Sequence, residues 1–245
     1  MRSIKEICVV GVGPSSSHTM GPANACKYIL EKYKNIDEII IVLYGSLAKT
    51  GRGHLTDYII NKKLKDVKHK IFFNPIKSVS HPNTMEVFTI TSPNCLHKDR
   101  FISIGGGSLI INDDKSSLPS EVYPEKNMKE ILAYCEKSNL LLLDYVKKYE
   151  PDAEQYFLNI VKEMKEVVER GLSSNESAMP GDYRVLRKAK EMYKNYCALK
   201  DNDPSKTLEN YMMIAAMAIN QLFTGILCLF SVRNMAAEKS GLMTS

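Results

Sequence analysis

The spacing of apolar positions changes partway along the chain. Residues 20–33 predict a helix with Ala25, Ile29 and Tyr33 on one face and Pro22 in the first turn, where a missing N–H costs nothing. "EIIIVLYG" (38–45) is a continuous apolar run ended by Gly45, the pattern of a buried strand. Residues 54–64 have helical spacing; "KIFFNPI" (70–76), "EVFTIT" (86–91) and "RFISIGGG" (100–107) predict strands separated by turn residues. Two short helices follow, over 124–139 and 140–150. From there the period is helical. In 153–170, Phe157, Ile160, Val161, Met164, Val167 and Val168 form one apolar stripe that Gly171 is expected to stop. A polar stretch, "SSNESAMPGD" (173–182), separates this helix from "YRVLRKAKEMYKNY". The expected fold class is therefore α/β (α+β) for an N-terminal domain at 1–152, followed by an all-α segment at 153–245.

No residue of 210–232, "NYMMIAAMAINQLFTGILCLFSV", is charged, and its length would cross a bilayer. Asn220, Gln221 and Thr224 lie mid-segment beside Gly225, which favours a buried helix or helix pair over a membrane span. The formal net charge of +5 is mild, and the lysines are scattered beside glutamates as on solvated helix faces. A nucleic-acid partner is not expected. The six cysteines form no CxxC pair and build no metal site by spacing. The opening residues lack a secretory pattern, so reduced thiols and a cytoplasmic location are expected.

Against this background, the polar clusters stand out. "GVGPSSSHTMGP" (11–22) places three serines and a histidine just before a helix start. A helix cap needs one serine. Ser15, Ser16, Ser17 and His18, with free N–H groups at a helix N-terminus, suit a small carboxylate. The GxxxxGK[ST] spacing of a P-loop is absent. "GSLAKTGRGH" (45–54) follows a strand, where α/β folds place ligand loops, and ends in His54, a candidate general base or a plain surface histidine. "SHPNTM" (80–85) offers His81 and Asn83, and "SIGGGS" (103–108) is a glycine-rich turn with N–H donors or simply a tight bend. His69 and His97 sit in Lys-rich surroundings and read as surface residues. From the residues alone, the chain holds a small polar or anionic metabolite in Gly/Ser loops, with one or two histidines for proton transfer.

These blocks, in this order, resemble the iron–sulfur L-serine dehydratases (L-serine ammonia-lyases). "GVGPSSSHTMGP" is similar to the family signature, "GSLAKTGRGH" to its second block, "HPNTM" to its HPNG-type block and "SIGGGS" to its glycine-rich turn. "ERGLSSNESAMPGDYRVLRKA" resembles the segment entering its helical catalytic domain, and the likeness runs to about Asn220. The resemblance implies dehydration of L-serine to aminoacrylate, which hydrolyses to pyruvate and ammonia, a step of amino-acid degradation and gluconeogenesis. It implies a [4Fe–4S] cluster with one open iron site, held by cysteines of the helical domain, and no pyridoxal phosphate. It also implies that the α/β domain is similar to the allosteric serine-binding domain of some phosphoglycerate dehydrogenases. Carried over by position, Ser15, Ser16, Ser17, Thr19, His81 and Asn83 would contact substrate, and His54 and His18 would be catalytic.

The chain also departs from the pattern. Thr84 replaces the glycine after His-Pro-Asn, and no "APTNGACG"-type block supplies cluster cysteines; Cys228 has no companion at a suitable spacing. The expectation is a chain that stops inside the helical domain, with cluster ligands outside it, either as a truncated gene product or beside a separate cluster-bearing α chain in a homo- or hetero-oligomer. The alternative is a non-catalytic module that binds serine and regulates a partner.

Overall fold

The computed structural model describes residues 1–92, 95–114, 120–178 and 186–199, with positions 212 and 215 besides. Five strands form one mixed sheet: β1 (Ile36–Tyr44), β2 (His69–Asn74), β3 (Thr84–Thr91), β4 (Cys95–Ser103) and β5 (Leu109–Ile111), in the order β2-β1-β3-β4-β5. Only β1 and β2 are parallel; the other neighbours are antiparallel. A parallel pair requires a crossover, here made by α2 (Gly45–Thr50) and α3 (Thr56–Lys63). Helix α1 (Gly21–Lys32) precedes β1, and α4 (Met128–Ser138), α5 (Leu142–Tyr149), α6 (Ala153–Ser173) and α7 (Ala189–Leu199) follow the sheet. The architecture is α+β.

The main core lies on one face of the sheet. Ile39, Ile41 and Leu43 of β1, Met85 and Val87 of β3 and Phe101 of β4 pack against Ala25, Cys26 and Ile29 of α1, Leu47 of α2, and Ile60 and Leu64. The unbroken apolar run of β1 predicted a strand buried throughout. Instead, Ile40 and Val42 on the opposite face are only half-buried, and their neighbour Phe72 is exposed. The difference arises because α1, α2 and α3 all join the core on the same side. On the open face Glu86 accepts from the Tyr44 hydroxyl at 2.6 Å and pairs with Lys98 at 2.8 Å.

A second buried carboxylate ties α1 to the sheet. Asp99, 1% exposed, accepts from Lys32 at 2.8 Å, Tyr33 at 2.8 Å and Asn112 at 2.9 Å. Burial alone would raise its pKa, but these donors outweigh it and hold the carboxyl below its usual range. His97, expected at the surface, is instead half-buried, stacked on Tyr33 with ring centroids 4.4 Å apart and bonded to Thr91 at 3.1 Å.

In the helical half, Tyr123, Ile131, Cys135 and Tyr145 form one small core. Part of the predicted stripe of α6 forms another, with Ile160 and Val167 buried against Cys8, Tyr156, Phe157 and Met164, while Val161 is exposed. Gly171 does not stop this helix, which continues to Ser173 with Gly171 buried inside it. Among the described residues no helix is long and apolar enough to cross a membrane. The uncharged segment 210–232 lies outside the described residues apart from two isolated positions.

Replacing Asp99 with Ala should cost about 2–3 kcal/mol in urea melts, less than the full cost of breaking a buried pair because Lys32 is about a third exposed. Because the folded pKa of Asp99 is depressed, its stabilisation is complete above about pH 4 and is lost as pH falls through the folded value, so D99N should flatten the acid limb of stability against pH.

Candidate functional site

The site is built where β1 ends. Gly45 follows Tyr44 with φ +52°, and a Cβ there would lie 2.5 Å from the Pro82 carbonyl oxygen. That close approach lets the Ser46 N–H donate to Pro82 at 2.7 Å, bringing the 80–84 loop against the start of α2. The "GSLAKTGRGH" stretch, expected to be a loop, is helical over Gly45–Thr50 and continues as turns to Leu55.

Opposite α2, residues Ser16–Met20 form a single π-turn that runs directly into α1. Ser15 caps it, its hydroxyl accepting from the His18 N–H at 3.1 Å, while the Ser15 N–H donates to Thr19 Oγ1 at 3.2 Å. Thr19 in turn donates to the His54 carbonyl at 2.9 Å, and Thr56 donates to the His18 carbonyl at 2.6 Å. These crossed bonds bracket Leu55, a buried residue held at φ +61°. A left-handed leucine costs on the order of 1–3 kcal/mol and persists only where its surroundings over-determine it.

The His18 ring lies among three hydroxyls. Nδ1 is 3.0 Å from Ser17 Oγ, and Nε2 is 3.0 Å from Ser46 Oγ and 3.2 Å from Thr50 Oγ1. Burial, and then the neighbouring His54, push its pKa down to about 4, so His18 is neutral near pH 7. The two rings are 4.6 Å apart between centroids. His54 Nδ1 lies 3.0 Å from the Thr50 carbonyl, which can only accept. Nδ1 therefore carries a proton, and in the neutral ring the lone pair is on Nε2.

His81 and Asn83 join from the adjacent loop. His81 Nδ1 accepts from the Asn83 N–H at 3.1 Å, and burial lowers its pKa. Asn83, itself buried, donates from Nδ2 to the Ser103 carbonyl at 3.3 Å, so its amide is partly spent on holding β3 to β4. Thr84, where the resemblance implies glycine, donates to the His81 carbonyl at 2.7 Å and closes this turn. The glycine-rich turn 105–107 has φ between +60° and +99° at all three positions, and its Gly107 carbonyl accepts from Asn24 of α1 at 2.8 Å.

Thus Ser17, His18 and His54 meet directly, while Ser15 and Thr19 hold their backbone. Ser16 is buried at the first position of the π-turn. Sequence reasoning missed Ser46, Thr50 and Thr56. A signal for two of them was present: Ser46, Thr50 and His54 recur every fourth residue, the spacing of one helix face. Among the described residues no group of three or more His, Cys, Asp or Glu could hold a metal ion. Cys8, Cys26, Cys95, Cys135 and Cys197 are spread over separate elements, and burial lifts the Cys26 thiol to about 12. The described residues therefore do not fit an iron–sulfur cluster, and Cys228 lies outside them.

Residues 3–66, which contain the whole Ser15–His54 constellation, match the family model described as Serine dehydratase beta chain. L-serine dehydratase of Haemophilus influenzae is 26% identical over 90% of this chain, and L-serine dehydratase 1 of Escherichia coli is 25% identical over the same share. The chain is thus similar to L-serine dehydratases over most of its length. A further relative, L-serine dehydratase of Helicobacter pylori, is 29% identical over 76% of the chain. The chain spans 60% of the length of the first two relatives and 52% of the third.

A histidine whose folded pKa lies below its unfolded value stabilises the fold fully above the unfolded value. With His18 near 4 against about 6.5, stability should fall by roughly 3 kcal/mol between pH 6.5 and pH 4, and His18→Asn should remove most of that slope. Imidazole nitrogen NMR across the same range should find one ring that stays neutral until about pH 4.

Proposed function

We propose that this chain forms the substrate-binding side of an L-serine dehydratase, the enzyme that converts L-serine to pyruvate and ammonia. The observation that carries this reading is the meeting of His18 and His54, with ring centroids 4.6 Å apart, beside the Ser15-capped turn and inside the segment that matches the family model. Elimination of water from serine requires loss of the Cα proton and departure of the β-hydroxyl. The aminoacrylate so formed tautomerises to an imine, whose hydrolysis consumes one water and gives pyruvate and ammonia.

In this reading the start of the π-turn and α1 faces the substrate carboxylate, because a helix N-terminus favours negative charge. His54 is the base, taking the Cα proton on Nε2 while its Nδ1–H remains on the Thr50 carbonyl. His18 orients the Ser17, Ser46 and Thr50 hydroxyls around the ligand, and its low pKa keeps a second positive charge away from His54 during that transfer. His81 and Asn83 supply further polar contacts from the neighbouring loop. The family's [4Fe–4S] cluster would take its thiolates from outside the described residues, on a partner α chain or elsewhere. The likeness of the 1–152 region to an allosteric serine-binding domain, and a division from a helical segment at 153–245, belong to the same proposal.

Calorimetry with L-serine, alongside pyruvate formation after anaerobic treatment with iron and sulfide, tests the reading. Binding of L-serine is expected, with turnover only when cluster ligands are supplied. In the complete enzyme His54→Ala should lower kcat about 100-fold or more with little change in KM. Unaltered turnover would remove His54 as the base, and absence of L-serine binding would overturn the assignment. Binding that persists without turnover even beside a cluster-bearing chain would favour the regulatory module.

A further inference from the structure

The segment entering the Ser15–Thr19 turn is clamped by the helical half. Glu150, 3% exposed at the end of α5, accepts through Oε1 from the Ile4 N–H at 3.1 Å and from the Tyr123 hydroxyl. Its Oε2 accepts from the Ser3 hydroxyl and lies 3.5 Å from Lys5 Nζ. Burial works against the charge, but these donors prevail and hold the carboxyl below its usual range. From α6, the Tyr156 hydroxyl reaches the carbonyls of Lys5 at 3.2 Å and Cys8 at 2.6 Å. The Met1 carbonyl accepts from the N–H groups of Val122 at 2.8 Å and Tyr123 at 2.9 Å. Residues 1–8 thus lie as a strap on α5, α6 and the 122–123 backbone.

The other side of the strap meets the site. Glu6 and Val9 lie against Gly106, and Arg2, Glu6, Val9 and the glycine-rich turn enclose a cavity of about 30 Å³, room for roughly one water. The chain then reaches Gly11, where an added Cβ would sit 2.3 Å from the Met20 side chain at the far end of the π-turn. A Cβ added at Gly107 would likewise lie 3.2 Å from the Met20 side chain. The route from Glu150 to the turn that carries His18 is therefore a continuous series of bonds and packed contacts, with Gly11 set against the Met20 side chain.

We infer that Glu150 is a positioning residue: by clamping residues 3–5 it sets the entry of the Ser15–Thr19 turn and couples the helical half to the His18 site. This coupling lies in the geometry of the turn and stands whether or not L-serine is the ligand.

Hydrogen exchange and imidazole NMR on the full chain carrying Glu150→Ala or Glu150→Gln test it. E150A should speed exchange at least tenfold at residues 3–10 and again at 15–20, and move the His18 titration up from about 4 toward its ordinary value as the turn admits water. The amides of β1 should stay protected. E150Q, which keeps an acceptor for Ile4 and Ser3, should recover part of both effects. Faster exchange confined to residues 1–10 and 120–150, with His18 unmoved, would overturn the inference. Should E150A lose protection throughout β1, Tyr156→Phe loosens the strap from α6 without stranding a charge. The same pair of readouts then decides, with an unmoved His18 again overturning the inference.

Discussion

The contact between Gly45 and the Pro82 carbonyl governs the arrangement of the site. β1 ends at Tyr44, and only a residue without a Cβ can turn there at φ +52° with a carbonyl oxygen so close. The turn sends α2 back over the sheet and fixes the Ser46 N–H on Pro82. It thereby places Ser46 and Thr50 against His18 and holds the His81–Asn83 loop beside them. Because α1, α2 and α3 all cover the same face, the start of α1 and the start of α2 converge near the end of β1.

The second feature is the imbalance between hydroxyls and charge around His18. Ser17, Ser46 and Thr50 can each donate or accept, so a neutral imidazole is satisfied in either tautomer. An imidazolium there would be buried beside another histidine without a carboxylate partner among these contacts. That physical asymmetry, more than any single hydrogen bond, separates the two rings: both His18 nitrogens lie within reach of hydroxyls, while His54 Nδ1 rests on the Thr50 carbonyl. Elsewhere, buried carboxylates act as fasteners. Asp99 binds α1 to the sheet, Glu86 gathers Tyr44 and Lys98 on the open face, and Glu150 fastens the N-terminal strap to the helices.

Much of this was legible in the chain. A continuous apolar run located β1, a turn-bounded run located β3, and helical periods located α1 and α6, because each is long enough for its pattern to exceed local noise. Three-residue β5 carried no such signal. His97 sat in a lysine-rich stretch and read as a surface residue; its burial comes from Tyr33, more than sixty positions earlier. Gly171 has the residue type that often ends helices, yet α6 passes through it and ends at Ser173. The "GSLAKTGRGH" stretch reads as a loop because its glycines outweigh the four-residue recurrence of Ser46, Thr50 and His54, yet it is helical over Gly45–Thr50.

What the sequence by itself determined is local: which segments are helix or strand, which polar residues cluster, and which family the clusters resemble. Those properties follow from interactions between residues a few positions apart. Only the tertiary structure decided that His18 meets His54, that hydroxyls from two elements hold the first ring, that the core lies on one face of the sheet, and that Glu150 grips residues 3–5. These are contacts between distant positions. Neither composition nor period carries them, because they depend on how the crossover from β1 to β2 and the return of the last helices bring separate stretches of chain together.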